Sequence, residues 1–119
     1  MPIQKFTDLD VYNIAHELAM EMFKISKQFP GDEKYSLTDQ IRRSSRSIAA
    51  NIAEGWGKRI YPANFKKQLV DANGSLEETK SWLMFARDCE YITSGEFDSY
   101  ILHSEKAGAK LWKLHDNWH

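Results

Sequence analysis

A lone cysteine, three prolines and no apolar run longer than five residues constrain this 119-residue chain before any motif is read. Cys89 has no partner for an internal disulfide, so packing alone must hold the fold, and a reducing cytosol is the expected compartment. The longest apolar run, Trp82-Leu-Met-Phe-Ala86, falls far short of the ~20 residues that span a bilayer. The opening Met-Pro-Ile-Gln-Lys-Phe lacks the apolar core of a secretory signal. Net charge is only −1, so the chain as a whole exerts no bulk pull on a polyanion. Strand-like alternation, internal repeats and low-complexity tracts are missing as well. With 42% hydrophobic and 28% charged residues, one globular domain over residues 1–119 is expected, burying roughly two-thirds of its unfolded surface.

The signatures of chemistry are equally sparse. A carboxylate-bridged di-metal site in a helical bundle wants paired Glu-x-x-His motifs, and none occurs; the nearest approach, Asp116-Asn-Trp-His119, sits at the end of the chain. His16, His103, His115 and His119 are not paired at ligand spacing, and His115, near an inward stripe, reads as a hydrogen-bonded core residue. There is no Cys-x-x-Cys, phosphate-cradling glycine loop or nucleophile elbow, and Cys89 reads as a small buried hydrophobe. No metal, cofactor or small-molecule substrate is expected, and an enzyme only in the least favoured reading, with Glu54 as a buried general base.

What is present is helical periodicity. Val11, Ala15, Leu18, Met22, Ile25 and Phe29 predict a first helix from about Asp8 to Phe29, with Thr7 or Asp8 as cap and Pro30 as stop. Leu37, Ile41, Ile48 and Ile52 predict a second, opened by a Ser36-Leu-Thr-Asp39 capping box and closed by Gly55 and Gly57 in left-handed cap conformations. Phe65, Leu69, Ala72, Leu76, Thr79, Leu83 and Ala86 predict a third from Pro62 to about Asp88. After a separator at Thr93-Ser-Gly-Glu96, a fourth runs from Phe97 to Trp118. The expected class is all-α: an up-down-up-down, left-handed four-helix bundle.

Two features exceed what such a bundle needs. The first is surplus apolar surface: Leu9, Tyr12, Met20 and Phe23 on helix one, Ala49, Ala50 and Ala53 on helix two, Trp82, Phe85 and Cys89 on helix three. One stripe per helix suffices for a monomer, so Phe23, Ala50, Ala53, Trp82 and Phe85 are candidate contacts between copies in a ring-shaped homo-oligomer. The second is charge segregation. Residues 42–67 hold Arg42, Arg43, Arg46, Lys58, Arg59, Lys66 and Lys67 against Glu54 alone, a local +6 between flanks of −3 and −4. These seven are candidate nucleic-acid contacts, with Trp56 and Tyr61 available to stack on bases. No base-reading motif accompanies them. Asn51 and Glu54 are read as structural polar residues, Glu54 pairing with Lys58 or with an arginine of another helix or copy.

Gln40-Ile-Arg-Arg43, Ser47-Ile48, Asn51-Ile-Ala-Glu-Gly55, Phe65 and Gly74-Ser-Leu-Glu-Glu78 resemble, in order and spacing, the signature of the 23S rRNA intervening-sequence proteins, a bacterial four-helix-bundle family. Phe6-Thr-Asp-Leu-Asp-Val-Tyr12 resembles the family's start, with Asp10 and Tyr12 where a basic residue and a Trp commonly stand. The resemblance implies pentameric rings and no established catalytic residues. It also implies kinship with the accessory proteins of diversity-generating retroelements, whose more basic pentamers engage reverse transcriptase and nucleic acid. Matched to the signature, Arg42, Arg43, Asn51 and Glu54 are the polar positions that matter most. The resulting expectation is a cytoplasmic, non-enzymatic oligomer that binds RNA or a nucleoprotein weakly and without sequence preference. The alternative is a protein–protein adaptor whose arginines pair between subunits.

Overall fold

Each apolar spacing becomes a buried stripe. In the computed structural model, which describes residues 2–119, four helices carry the chain. They are α1 (Asp10–Ser26), α2 (Leu37–Gly57), α3 (Pro62–Asp88) and α4 (Ser94–Asn117), with 3-10 turns at Phe6–Asp8 and Gly31–Glu33. No strand occurs among the described residues. Every stripe residue expected inward on the first three helices is buried, from Val11 and Leu18 through Ile41 and Ile52 to Phe65 and Leu83. α4 contributes Ser104, Ala107 and Leu111 to the core, and Phe97, Tyr100 and Leu114 pack half-buried against it. Each helix packs on its sequence neighbours and α4 closes back on α1, which gives the up-down-up-down order in a body 44 × 25 × 20 Å. No helix is long and apolar enough to cross a membrane.

Several boundaries fall elsewhere than the sequence predicts. α1 starts at Asp10 because the Asp8 carboxylate turns outward, accepting from the backbone N–H of Gln4 and Lys5 at 3.1 Å. The Ser36 capping box does not form. The Ser36 hydroxyl instead donates to the Glu33 carboxylate, which also accepts the Leu37 N–H at 3.4 Å, while Asp39 pairs with Arg43. The residues expected to separate α3 from α4 are themselves a cap. Thr93 Oγ1 accepts from the Glu96 N–H at 3.0 Å, and the Glu96 carboxylate accepts from the Thr93 N–H at 2.9 Å, so α4 begins at Ser94.

The glycines at the end of α2 also behave differently. Neither adopts a positive φ, and the helix runs through both. Gly55 faces α3 instead: a Cβ there would lie 2.8 Å from the Gln68 Cβ and 3.0 Å from the Phe65 ring. The hydrogen at this position lets the two backbones approach. Among the described residues the left-handed one is Glu90 (φ 64°), which ends α3 with Tyr91 N–H bonding the Ala86 carbonyl and Glu90 N–H bonding that of Arg87. Cys89, read from sequence as buried, is exposed just before this turn.

Glu33 anchors the α1–α2 connection. Besides Ser36, it accepts from the Tyr91 hydroxyl at 2.8 Å, which ties this loop to the end of α3. Ser36 first and Tyr91 second hold its carboxyl below the ordinary value, and the same bond pushes the Tyr91 phenol up to about 12.

Gly55→Ala should destabilise by about 1–3 kcal/mol in thermal unfolding despite the better helix former, because the methyl overpacks the seam. Gly74→Ala, in mid-α3 with nothing within 4 Å, should stabilise by roughly 0.5–1 kcal/mol. Because the Glu33 carboxyl is depressed in the folded state, its contribution is complete above about 4.5 and lost as pH falls through the folded value. Glu33→Gln should therefore melt below the parent chain at neutral pH, with the gap closing in acid.

Candidate nucleic-acid interface

The seven basic residues separate into two groups at opposite ends of the α2–α3 hairpin. Arg42, Arg43 and Arg46 lie in the first half of α2 and diverge around the helix. Arg42 turns to α1, where its Nε donates to Ser26 Oγ at 2.7 Å and its guanidinium sits 4.8 Å from the centre of the Phe23 ring. Arg46 covers the same ring from 5.8 Å. Arg43 points the other way and pairs with Asp39 at 3.0 Å.

At the hairpin tip, Lys58 pairs with Glu54 at 3.2 Å and Lys67 with Asp71 at 3.2 Å. Arg59 lies 4.0 Å over the Trp56 ring and donates to the Trp56 carbonyl at 2.9 Å. Lys66 is half-buried and makes no ion pair among the described residues. Trp56 was expected to be free for base stacking. It is buried, packed edge-on against Phe65 and Trp118 and roofed by Arg59. Tyr61 is 64% exposed, so one flat aromatic surface remains beside the tip cations.

Asn51 and Glu54 part company. Asn51 belongs to a polar ladder between α2 and α3. Its Nδ2 donates to the Ser47 carbonyl at 2.9 Å, and its Oδ1 accepts from Gln68 at 3.4 Å. Ser47 and Ser75 hydroxyls meet at 2.8 Å, and Ser44 and Thr79 do the same one turn on. Glu54 faces solvent. Lys58 first, then Gln68, hold its carboxyl below the usual range, the opposite of what a general base at neutral pH requires. Among the described residues no group of three or more His, Cys, Asp or Glu is placed to hold a metal ion.

Of the surplus apolar residues, Leu9 and Ala49 are buried within the single chain. Ala53 is half-buried, Ala50 is exposed, and Phe23 is half-buried beneath its cations. Trp82 stacks 5.9 Å from Phe85 and donates to Glu78 at 3.0 Å. Phe85 is 55% exposed and, with Tyr35, Leu37, Trp82 and Cys89, lines a groove of about 390 Å³ between the start of α2 and the end of α3. Sequence reasoning missed Tyr35, 84% exposed at this groove, and Lys27, whose ammonium reaches to 4.6 Å from the Phe23 centroid. The signal for Lys27 was its four-residue offset from Phe23 on the face turned to α2.

The family described as 23S rRNA-intervening sequence protein matches residues 7–113. A crystal structure of a protein of unknown function from the S23 ribosomal protein family of Bacteroides thetaiotaomicron VPI-5482 superposes with a TM-score of 0.79 at 28% identity, covering 88% of this chain and 97% of that one. No curated protein matches the chain.

The exposed pairs and the inter-helix ladder should separate in mutagenesis. Arg43→Ala and Lys67→Ala should leave unfolding free energy within about 0.5 kcal/mol of the parent. Asn51→Ala, which removes the bonds to the Ser47 carbonyl and to Gln68 at a packed seam, should lower it by about 0.5–1.5 kcal/mol in denaturant titration.

Proposed function

The chain belongs to the 23S rRNA-intervening sequence protein family, and we propose that it works without chemistry of its own, as a self-associating helical scaffold that binds RNA weakly through its basic hairpin. The observation that carries this reading is the fate of the +6 segment. Residues 42–67 fold back on themselves as α2 and the start of α3, with Arg43, Arg46, Lys58, Arg59 and Lys67 exposed and Arg42 and Lys66 half-buried. Arg46, Arg59 and Lys66 have no carboxylate partner among the described residues, so their charge is available to phosphates. Arg43, Lys58 and Lys67 are each neutralised by an acid one turn away, which supports weak rather than tight binding.

Self-association is supported by apolar groups that the single chain leaves open: Phe85, Met84, Met20 and Tyr35 around α1 and the α2–α3 groove, and Ile60 at the tip. Repetition of the basic segment around a closed assembly, a pentamer on family resemblance, would multiply a modest field. The same surfaces favour a second reading, a protein–protein adaptor in which Arg42, Arg43 and Arg46 pair with acids of neighbouring copies.

Light scattering should give a mass several times the 13.8 kDa of one chain, and Phe85→Glu should reduce it. Single-stranded RNA should be retarded at low salt. Replacing Arg42, Arg43, Arg46, Lys58 and Arg59 together by Ala should abolish that retardation while the helical circular dichroism persists. An oligomer that never retards RNA assigns the chain to the adaptor reading.

A further inference from the structure

Three cations converge on one ring in the groove between α1 and α2. Lys27 Nζ stands 4.6 Å from the Phe23 centroid, and the guanidinium carbons of Arg42 and Arg46 stand 4.8 and 5.8 Å from it. Among the described residues none of the three is ion-paired, whereas Arg43, next along the chain, is paired with Asp39. Three like charges within 6 Å of one point repel, and the ring face offsets only part of that repulsion.

The cluster is also held in place. Ser26 is 2% exposed, donates its hydroxyl to the Phe23 carbonyl at 2.9 Å, and accepts from Arg42 Nε at 2.7 Å. That bond orients the guanidinium plane and leaves its terminal N–H groups for another acceptor. Lys27 comes from the C-terminal end of α1, outside the basic segment, so the convergence is a product of helix packing and not of local sequence.

We propose that Lys27, Arg42 and Arg46 form a phosphate-binding site around Phe23. A carboxylate has two oxygens and one charge, which a single arginine satisfies. A phosphate spreads its charge over several oxygens, and three separate cations suit it better. The inference deepens the RNA-binding reading and rests on it for one of two sources of the phosphate, an RNA backbone; the other source is free inorganic phosphate.

The test follows the Phe23 ring resonances by NMR in low salt while inorganic phosphate, or chloride at equal ionic strength, is added. The parent chain should show a saturable shift with phosphate alone. Lys27→Ala and Arg46→Ala, both at exposed positions, should weaken it about tenfold or more, and Arg42→Lys should weaken it through the lost planar fork. Arg43→Ala should leave it unchanged. Identical responses to phosphate and chloride, or a shift that survives Lys27→Ala and Arg46→Ala in folded protein, would overturn the site. A second arm measures retention of single-stranded oligouridylate against salt. If the phosphate belongs to RNA, Lys27→Ala should flatten the log–log slope by about 0.7. A saturable phosphate shift with an unchanged RNA slope, or with no RNA retention at all, keeps the site and assigns it to free phosphate; RNA retention without the phosphate shift removes the site and leaves the RNA reading standing.

Discussion

The close approach of α2 to α3 is the constraint on which the rest depends. Gly55 removes the one Cβ that would strike Gln68 and Phe65, and the short side chains of Ser44 and Ser47 meet Thr79 and Ser75 across the same seam. Small polar residues at a helix interface let backbones draw together, while their mutual hydrogen bonds remove the penalty of burying hydroxyls. With this spacing, Ile41, Ile48 and Ile52 share one core with Phe65, Leu69 and Leu76, all fully or nearly fully buried. A wider seam would lose those contacts on both helices together.

The same folding-back decides which cations remain available. Residues 42–67 carry one acid of their own, yet Asp39 just before the segment and Asp71 just after it return to neutralise Arg43 and Lys67, and Glu54 within it pairs Lys58. The charge that survives is not the charge that a linear count suggests. Arg42 and Arg46 escape neutralisation because they face α1, whose contribution at that point is an aromatic ring and another cation.

The architecture was legible because burial in a bundle repeats along the chain: stripes at three- and four-residue steps named most of the apolar core of α1 to α3, though not Ala19, Ala49 or Trp56. The site was legible only in part, because it depends on which faces meet. Gly55 reads equally well as a stop or as a contact, and only the position of Gln68 decides it. Trp56 looks like a stacking platform until Phe65, Trp118 and Arg59 enclose it, all three from outside its own helix. Ser36 and Asp39 match a capping box, but Glu33 and Arg43 compete for them more successfully. Lys27 sits fifteen residues before Arg42 in the chain, beyond the reach of any local charge count.

The neighbour-on-neighbour order of the helices also shapes how the chain finds its structure. Connections of ten, four and five residues let α1–α2, α2–α3 and α3–α4 each form as a local hairpin with modest loop entropy to overcome. The return of α4 to α1, marked by the bond between His103 and Glu21, joins distant parts of the chain, as do the Tyr91–Glu33 bond and the packing of Trp118 on Trp56. Topologies dominated by local pairings cross their folding barrier quickly, in microseconds to milliseconds. The α2–α3 hairpin, joined by four residues and closed at Gly55, is expected to form first, with α4 docking after it. Lesions at Gly55 would then slow acquisition of the native state, whereas lesions at His103 would act mainly on its rate of loss.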